Sequence, residues 1–212
     1  MGKPVVVFDF DGTISDSFPY VFDFLWQQAK KDYQPQSAEV KKYVHMHMKD
    51  MALKMGVPWW QLPSVYYKGR RQMRAKVAEV RPFDGMVKQI QVLHEQGFTL
   101  YILSASSRRT IRRFLQHHGL SGYFRAVYAG AAPFGKEPKV RRLIRRQRLQ
   151  HDVCWMVGDL ATDATAAKAS GMKTVGVTWG FDNREDLAKA ADFVVDKPSD
   201  IGKIILANTD TM

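Results

Sequence analysis

Asp9 and Asp11 stand in the run Val5-Val6-Val7-Phe8-Asp9-Phe10-Asp11-Gly12-Thr13, where two carboxylates emerge from a strongly apolar stretch. Alternate residues of a strand share a face, so this spacing predicts that both acids aim at one point. Gly12 lets the chain turn sharply just beyond them. A pair of carboxylates in that position suits a hard divalent cation with a nucleophile beside it. Open α/β sheets also place their ligands at the carboxyl ends of strands.

Three further positions supply complementary chemistry. Ser104 follows Tyr101-Ile102-Leu103, with Ala105, Ser106 and Ser107 behind it. Its hydroxyl and the adjacent amides could grip a phosphoryl oxygen, although a serine before a helical run more commonly serves as an N-cap. Lys136, in Gly135-Lys136-Glu137-Pro138, sits at the expected start of a helix, where it could neutralise a transferring phosphoryl group. Lys139, one turn later, is its rival, and both are open to the plainer reading of a solvated surface charge. Asp159 and Asp163 fall in Val157-Gly158-Asp159-Leu160-Ala161-Thr162-Asp163, after another apolar run. They could cap and charge a helix start. Together with Asp9 and Asp11 they would also make an acidic cluster that repels itself unless a cation joins it.

The elements that must position these residues alternate along the chain. Short apolar runs at Pro4 to Phe10, Phe98 to Leu103, Ala126 to Ala129, Val153 to Val157, Thr174 to Thr178 and Phe193 to Val195 read as buried strands. Helices are expected at Gly85 to Glu95, Thr110 to His118, Glu137 to Arg148, Asp163 to Ala169, Arg184 to Ala190 and Ile201 to Ala207. This alternation predicts an α/β fold with a doubly wound, mostly parallel sheet. One segment breaks it: from Ser17 to Arg81 no convincing strand appears, and helices are expected at Tyr20 to Lys31, Ala38 to Lys54 and Trp59 to Val80. The division that follows is a core of residues 1–16 and 82–212 with an inserted helical cap at 17–81. Hinges are expected near Ser15 to Phe18 and Val80 to Phe83. Phe18, Tyr20, His45, His47 and Arg70 are candidate cap-side contacts, each also explicable as an ordinary packing or surface residue. His45 and His47, two apart, point different ways on a helix and make no metal site.

Composition bounds the setting. A chain of 212 residues, 45% hydrophobic, can bury a full core. No run approaches the roughly 20 apolar residues of a membrane span, and no signal-peptide pattern precedes the first strand, so a cytoplasmic location is expected. Cys154 lies in an apolar run and reads as a small buried hydrophobe. Twelve basic residues and one acid lie between Arg108 and Arg148, so this stretch alone accounts for the net charge of +11. Its arginines could bind a polyanion such as nucleic acid. The expected right-handed crossovers, however, send the two arginine-rich helices to opposite faces of the sheet, which favours ordinary solvated faces.

Taken in order and spacing, Asp9-Phe10-Asp11-Gly12-Thr13, Ser104, Lys136, and Gly158-Asp159 with Asp163 resemble the four signatures of the haloacid dehalogenase superfamily. The similarity is to its phosphoglycolate phosphatase-like branch, spans nearly the whole chain and includes Thr178-Trp179-Gly180-Phe181 and Ala191-Asp192-Phe193-Val194-Val195-Asp196. It implies Mg²⁺ held by Asp9, the main-chain carbonyl of Asp11 and Asp159. It also implies Asp9 as nucleophile, Asp11 as acid and base, Ser104 and Lys136 as phosphate ligands, and Asp163 orienting Lys136 or the metal shell. The presence of Asp11 favours phosphate esters over carbon-halogen bonds. The implied partner is a small phosphorylated metabolite, with a phosphomutase of the same superfamily as the alternative reaction and either a monomer or a homodimer as the assembly.

Overall fold

The computed structural model describes residues 3–29, 35–130, 135–149 and 154–209. Six strands form one parallel sheet: β1 (Val5–Phe8), β2 (Thr99–Leu103), β3 (Phe124–Tyr128), β4 (Cys154–Gly158), β5 (Lys173–Val177) and β6 (Phe193–Val195). Their spatial order is β3-β2-β1-β4-β5-β6. The chain builds outward from β1 through β2 to β3, then returns to β4 on the other side of β1. The crevice between these two directions of travel is where a doubly wound sheet binds ligands. Register puts Phe8 beside Ile102 on one flank and Val157 on the other. The residues that follow β1, β2 and β4 therefore leave the sheet at one edge.

Alternation along β1 divides the core into two layers. Val6 and Phe8 pack with Met86, Ile90 and Leu93 of α5 (Met86–Glu95), Ile111 and Phe114 of α6 (Arg108–His117), and Ile201 and Ile205 of α10 (Pro198–Ala207). Val5 and Val7 pack on the opposite face with Val140, Leu143 and Ile144 of α7 (Glu137–Gln147) and with Ala166 and Ala167 of α8 (Ala161–Lys168). The arginine-rich α6 and α7 thus lie on opposite faces of the sheet. Helix α9 (Arg184–Ala190) seats buried Leu187 against Gly176 of β5, where a Cβ would come within 3.2 Å of Leu187. Cys154 is buried in the second layer.

A third apolar cluster lies outside the sheet layers. Phe22, Leu25 and Trp26 of α1 (Phe18–Gln28), Met51 and Ala52 of α3 (Met48–Lys54) and Val65 of α4 (Leu62–Lys76) bury one another with Tyr43 and Val57. The short α2 (Ser37–Val40) leads into this cluster. A single helix from Ala38 to Lys54 is not formed. After α2 and a 3₁₀ turn at Lys41–Tyr43, Val44 is extended and His45 is left-handed at φ 61°, which breaks the helical path before α3. The expected Trp59 to Val80 helix likewise starts with a 3₁₀ turn and ends at Lys76. Lys31 and Val153, used in the sequence reading, lie outside the described residues. Among those described, no helix is long and apolar enough to cross a membrane.

Candidate active site

β1 ends at Phe8, two residues short of its expected end, so the pleat does not align Asp9 with Asp11. The turn beyond it places them. Asp9 still belongs to the sheet, since its amide donates to the carbonyl of Val157 at 2.8 Å. The amides of Ile14 and Ser15 then fold back onto the carbonyl of Phe10, and Asp11 forms an isolated bridge with Ser15. Gly12 makes this turn feasible: its φ is +77°, and a Cβ there would fall 2.2 Å from an oxygen of Asp159.

Lys136 is the hub. Its Nζ lies 2.7 Å from Asp9 Oδ2 and 2.8 Å from each carboxylate oxygen of Asp163. It immediately precedes α7, whose first turn carries Pro138, so the helix start fixes the lysine at the edge where β1 and β4 end. Burial alone would push the Lys136 ammonium down, but Asp163 and Asp9 outweigh it and hold the group above its ordinary range. Lys139 does not share this position. Its Nζ donates to the carbonyls of Ser104 and Gly130, and burial, Lys136 and Arg70 together lower its pKa.

The acids are close together and short of positive charge. One carboxylate oxygen from each of Asp9, Asp159 and Asp163 lies within 4.8 Å of the others, and all three residues are buried. Burial raises Asp159 well above the usual carboxylate range, with Asp9 and Asp163 adding to the effect. Burial likewise raises Asp163 to about 7, against the opposing pull of Lys136. Among the described residues Lys136 is the one ammonium paired with this cluster, whose hard oxygen donors are those a divalent ion such as Mg²⁺ prefers. Asp159 is also oriented with care: Thr13 Oγ1 donates to one oxygen at 2.8 Å and the Phe181 amide to the other at 2.9 Å. Gly180 allows that approach, since a Cβ there would lie 2.3 Å from Asp159. Asp159 does not cap α8. Asp182 takes that role, accepting from the Ala161 amide at 2.6 Å.

Asp11 is not part of that cluster. It accepts a 2.5 Å hydrogen bond from Ser106 Oγ, and burial raises its pKa to about 6 despite that bond. Ser104 Oγ accepts from the Ser106 amide at 2.9 Å, and its own amide donates to the Tyr128 carbonyl. Ser104 is therefore not the N-cap of α6. Ser107 is, accepting from the Thr110 amide.

Asp9, Asp11, Ser104 and Lys136 border one cavity of about 310 Å³, which residues of α1 and α4 also line. Of the candidate cap-side contacts, Tyr20, His47 and Arg70 line it. Phe18 instead packs on Phe181, with ring centroids 6.2 Å apart, and His45 is not among the lining residues. His47 Nε2 reaches 3.2 Å from Asp182 Oδ1, joining the helical segment to the loop that supports Asp159. Thr13, Ser106, Phe181 and Asp182 are additions that the sequence reading did not assign. Thr13 lay inside the first motif, and Ser106 inside a run of serines whose members differ only once folded.

Known proteins are similar to this chain in sequence and fold. The chain is 30% identical over 200 residues to a phosphoglycolate phosphatase of Synechococcus elongatus, covering 92% of this chain and 94% of that one. It is 34% identical over 134 residues to a pyrophosphatase of Anoxybacillus flavithermus, covering 60% and 61% of the two chains. A crystal structure titled as a predicted phosphatase from Clostridium acetobutylicum superposes with a TM-score of 0.81 at 25% identity, over 98% of this chain and 100% of that one. Residues 6–177 match the family model for haloacid dehalogenase-like hydrolases, and the chain is a member of that family.

Proposed function

We propose that this enzyme is a Mg²⁺-dependent phosphatase that hydrolyses a small phosphate monoester, of the size of phosphoglycolate, through an aspartyl-phosphate on Asp9. The observation that carries this reading is the placement of Lys136 against Asp9 and Asp163 at the floor of the cavity, with Asp11 and Ser104 on its wall. Asp9 attacks phosphorus through a carboxylate oxygen, and the bond from phosphorus to the ester oxygen breaks. Asp11, whose pKa burial raises to about 6 and so brings closer to neutrality, gives a proton to the departing alkoxide from its protonated form. It then takes a proton from the incoming water, whose oxygen displaces the Asp9 carboxylate and releases phosphate. Lys136 and the hydroxyl of Ser104 hold the non-bridging oxygens, where charge is spread in the transition state. Asp163 keeps Lys136 pointed at the reacting group.

The buried acids fit a divalent cation: Asp9, the Asp11 carbonyl and Asp159 would hold it, and it would offset the repulsion between the anionic nucleophile and an anionic ester. Thr13 and the Phe181 amide hold Asp159 ready for that task. Residues 17–81 act as a cap in this reading, hinged near Ser15 to Phe18 and Val80 to Phe83, and closing over the substrate to exclude bulk water. The implied setting is the cytoplasm, where small phosphorylated metabolites are found.

The test is hydrolysis of phosphoglycolate by the purified protein with Mg²⁺, with EDTA, and with Asp9→Asn. Release of phosphate that requires both the cation and Asp9 supports the reading. Full activity in EDTA or in Asp9→Asn overturns it.

A further inference from the structure

Three cations converge near the phosphate side of the cavity, and they are engaged differently. Lys136 is neutralised by Asp9 and Asp163, and Lys139 is turned onto main-chain carbonyls. Arg70, projecting from α4 across the cavity, has only uncharged partners. Its Nη1 donates to Tyr66 Oη at 3.0 Å and to the Ala105 carbonyl at 3.2 Å, while its guanidinium carbon lies 5.5 Å from the centre of the Tyr66 ring. Among the described residues no carboxylate pairs with it. Asp23 also borders the cavity but is exposed to solvent, where its charge is screened.

This geometry holds an arginine still without cancelling its charge. Stacking and the tyrosine hydroxyl restrain the side chain, so little freedom remains to be lost on binding a ligand. Both hydrogen bonds use Nη1, which leaves Nη2 for an incoming oxygen in the planar fork that matches a carboxylate. The anchor at Ala105 is one residue beyond Ser104, a Cα step of about 3.8 Å. An anion that reaches Arg70 is therefore only a few bonds from a phosphoryl group held at Ser104.

We propose that Arg70 determines specificity by binding a carboxylate carried a few bonds from the phosphoryl group, so the favoured substrates are short phosphorylated carboxylic acids. The inference rests on the phosphatase reading above and adds to it the residue that recognises the acid. Arg70 touches substrate remote from the reacting bond and takes no part in proton or phosphoryl transfer.

The test compares phosphoglycolate with ethylene glycol monophosphate, which replaces the carboxylate by an uncharged hydroxymethyl group at equal length. Wild-type enzyme should favour phosphoglycolate in kcat/KM by at least about 30-fold, as expected where a polar group is built to be paired. Arg70→Met should remove most of that preference, chiefly through a higher KM, and change the uncharged ester by less than about 3-fold. Arg70→Lys should fall between, since it keeps the charge and loses the fork. Tyr66→Phe, which keeps the ring and removes one hydroxyl, should cost phosphoglycolate alone about 3-fold. Thermal denaturation of each variant separates misfolding from lost recognition. Equal losses on both esters, no loss on either, or a wild type without preference would overturn the role of Arg70. Those results leave the phosphatase reading standing, whereas a wild type inactive on both esters overturns both.

Discussion

The two walls of the cavity are built to different standards. On the sheet side, Asp9, Asp159 and Asp163 are buried and Lys136 is partly buried, all joined by ion pairs and hydrogen bonds, with glycines that admit no Cβ against Asp159 and Asp163. On the helical side, Tyr20, His47 and Arg70 are half-buried or exposed: Tyr20 donates to a carbonyl, His47 meets an acid, and Arg70 donates to a hydroxyl and a carbonyl. Rigid strand ends fix groups that must meet a reacting atom, while helices packed around a separate apolar cluster can shift or change side chains without disturbing those groups. The difference suits the proposed division, with the reaction on the first wall and the choice of substrate on the second.

The most direct way to break that division is to alter the sheet side. Asp9→Asn preserves size and removes the proposed nucleophile, so turnover should fall by at least about 10⁴-fold while the far-ultraviolet circular dichroism stays unchanged. Gly180→Ala should come next. The new methyl must displace Asp159, and we expect Mg²⁺ affinity, measured by titration calorimetry, to drop by about 10- to 100-fold.

Proton linkage should expose the same wall in a third way. Asp11 and Asp163 ordinarily titrate near 3.8, and burial in the folded protein raises them to about 6 and about 7. The folded state then binds more protons than the unfolded chain between these limits, so metal-free stability should fall as pH rises from about 4 to 7. In EDTA we expect Tm to decline by about 5 °C across that window, with saturating Mg²⁺ removing most of the decline. Carboxylates outside the site, such as Asp200 held low by Lys203, contribute to both curves alike and cancel in their difference.

The smallest effect belongs to the other wall. His47→Ala removes a half-exposed contact to Asp182, and steady-state kinetics should show KM raised by about 2- to 3-fold with kcat nearly unchanged. A loss in kcat comparable to that of Gly180→Ala would show that the helical side shares in the chemistry.

Much of the sheet was legible because its strands are short apolar runs separated by amphipathic helices, and the parallel order follows from that alternation. Asp9, Ser104, Lys136 and Asp159 were visible for a related reason, since each follows or faces the end of such a run. The means of their alignment was not visible. β1 stops at Phe8, and a turn closed on the Phe10 carbonyl, a long-range consequence of packing, sets Asp11 against Ser106. Lys136 was the candidate in the sequence but Lys139 remained its rival, because the α7 start decides which side chain reaches Asp9. Asp182 carried no local sign at all: it matters through contacts to Ala161 and His47, distant in sequence. Between α2 and α3, extended Val44 and left-handed His45 interrupt a stretch that had been expected to form one helix.

The central claim is that Asp9 becomes phosphorylated during turnover. Rapid acid quenching of the Mg²⁺-loaded enzyme with phosphoglycolate, followed by peptide mass spectrometry, should find one phosphoryl group on the peptide containing Asp9 and none in Asp9→Asn. Steady turnover with no phosphorylated Asp9, or with the phosphoryl group on another residue, would contradict it.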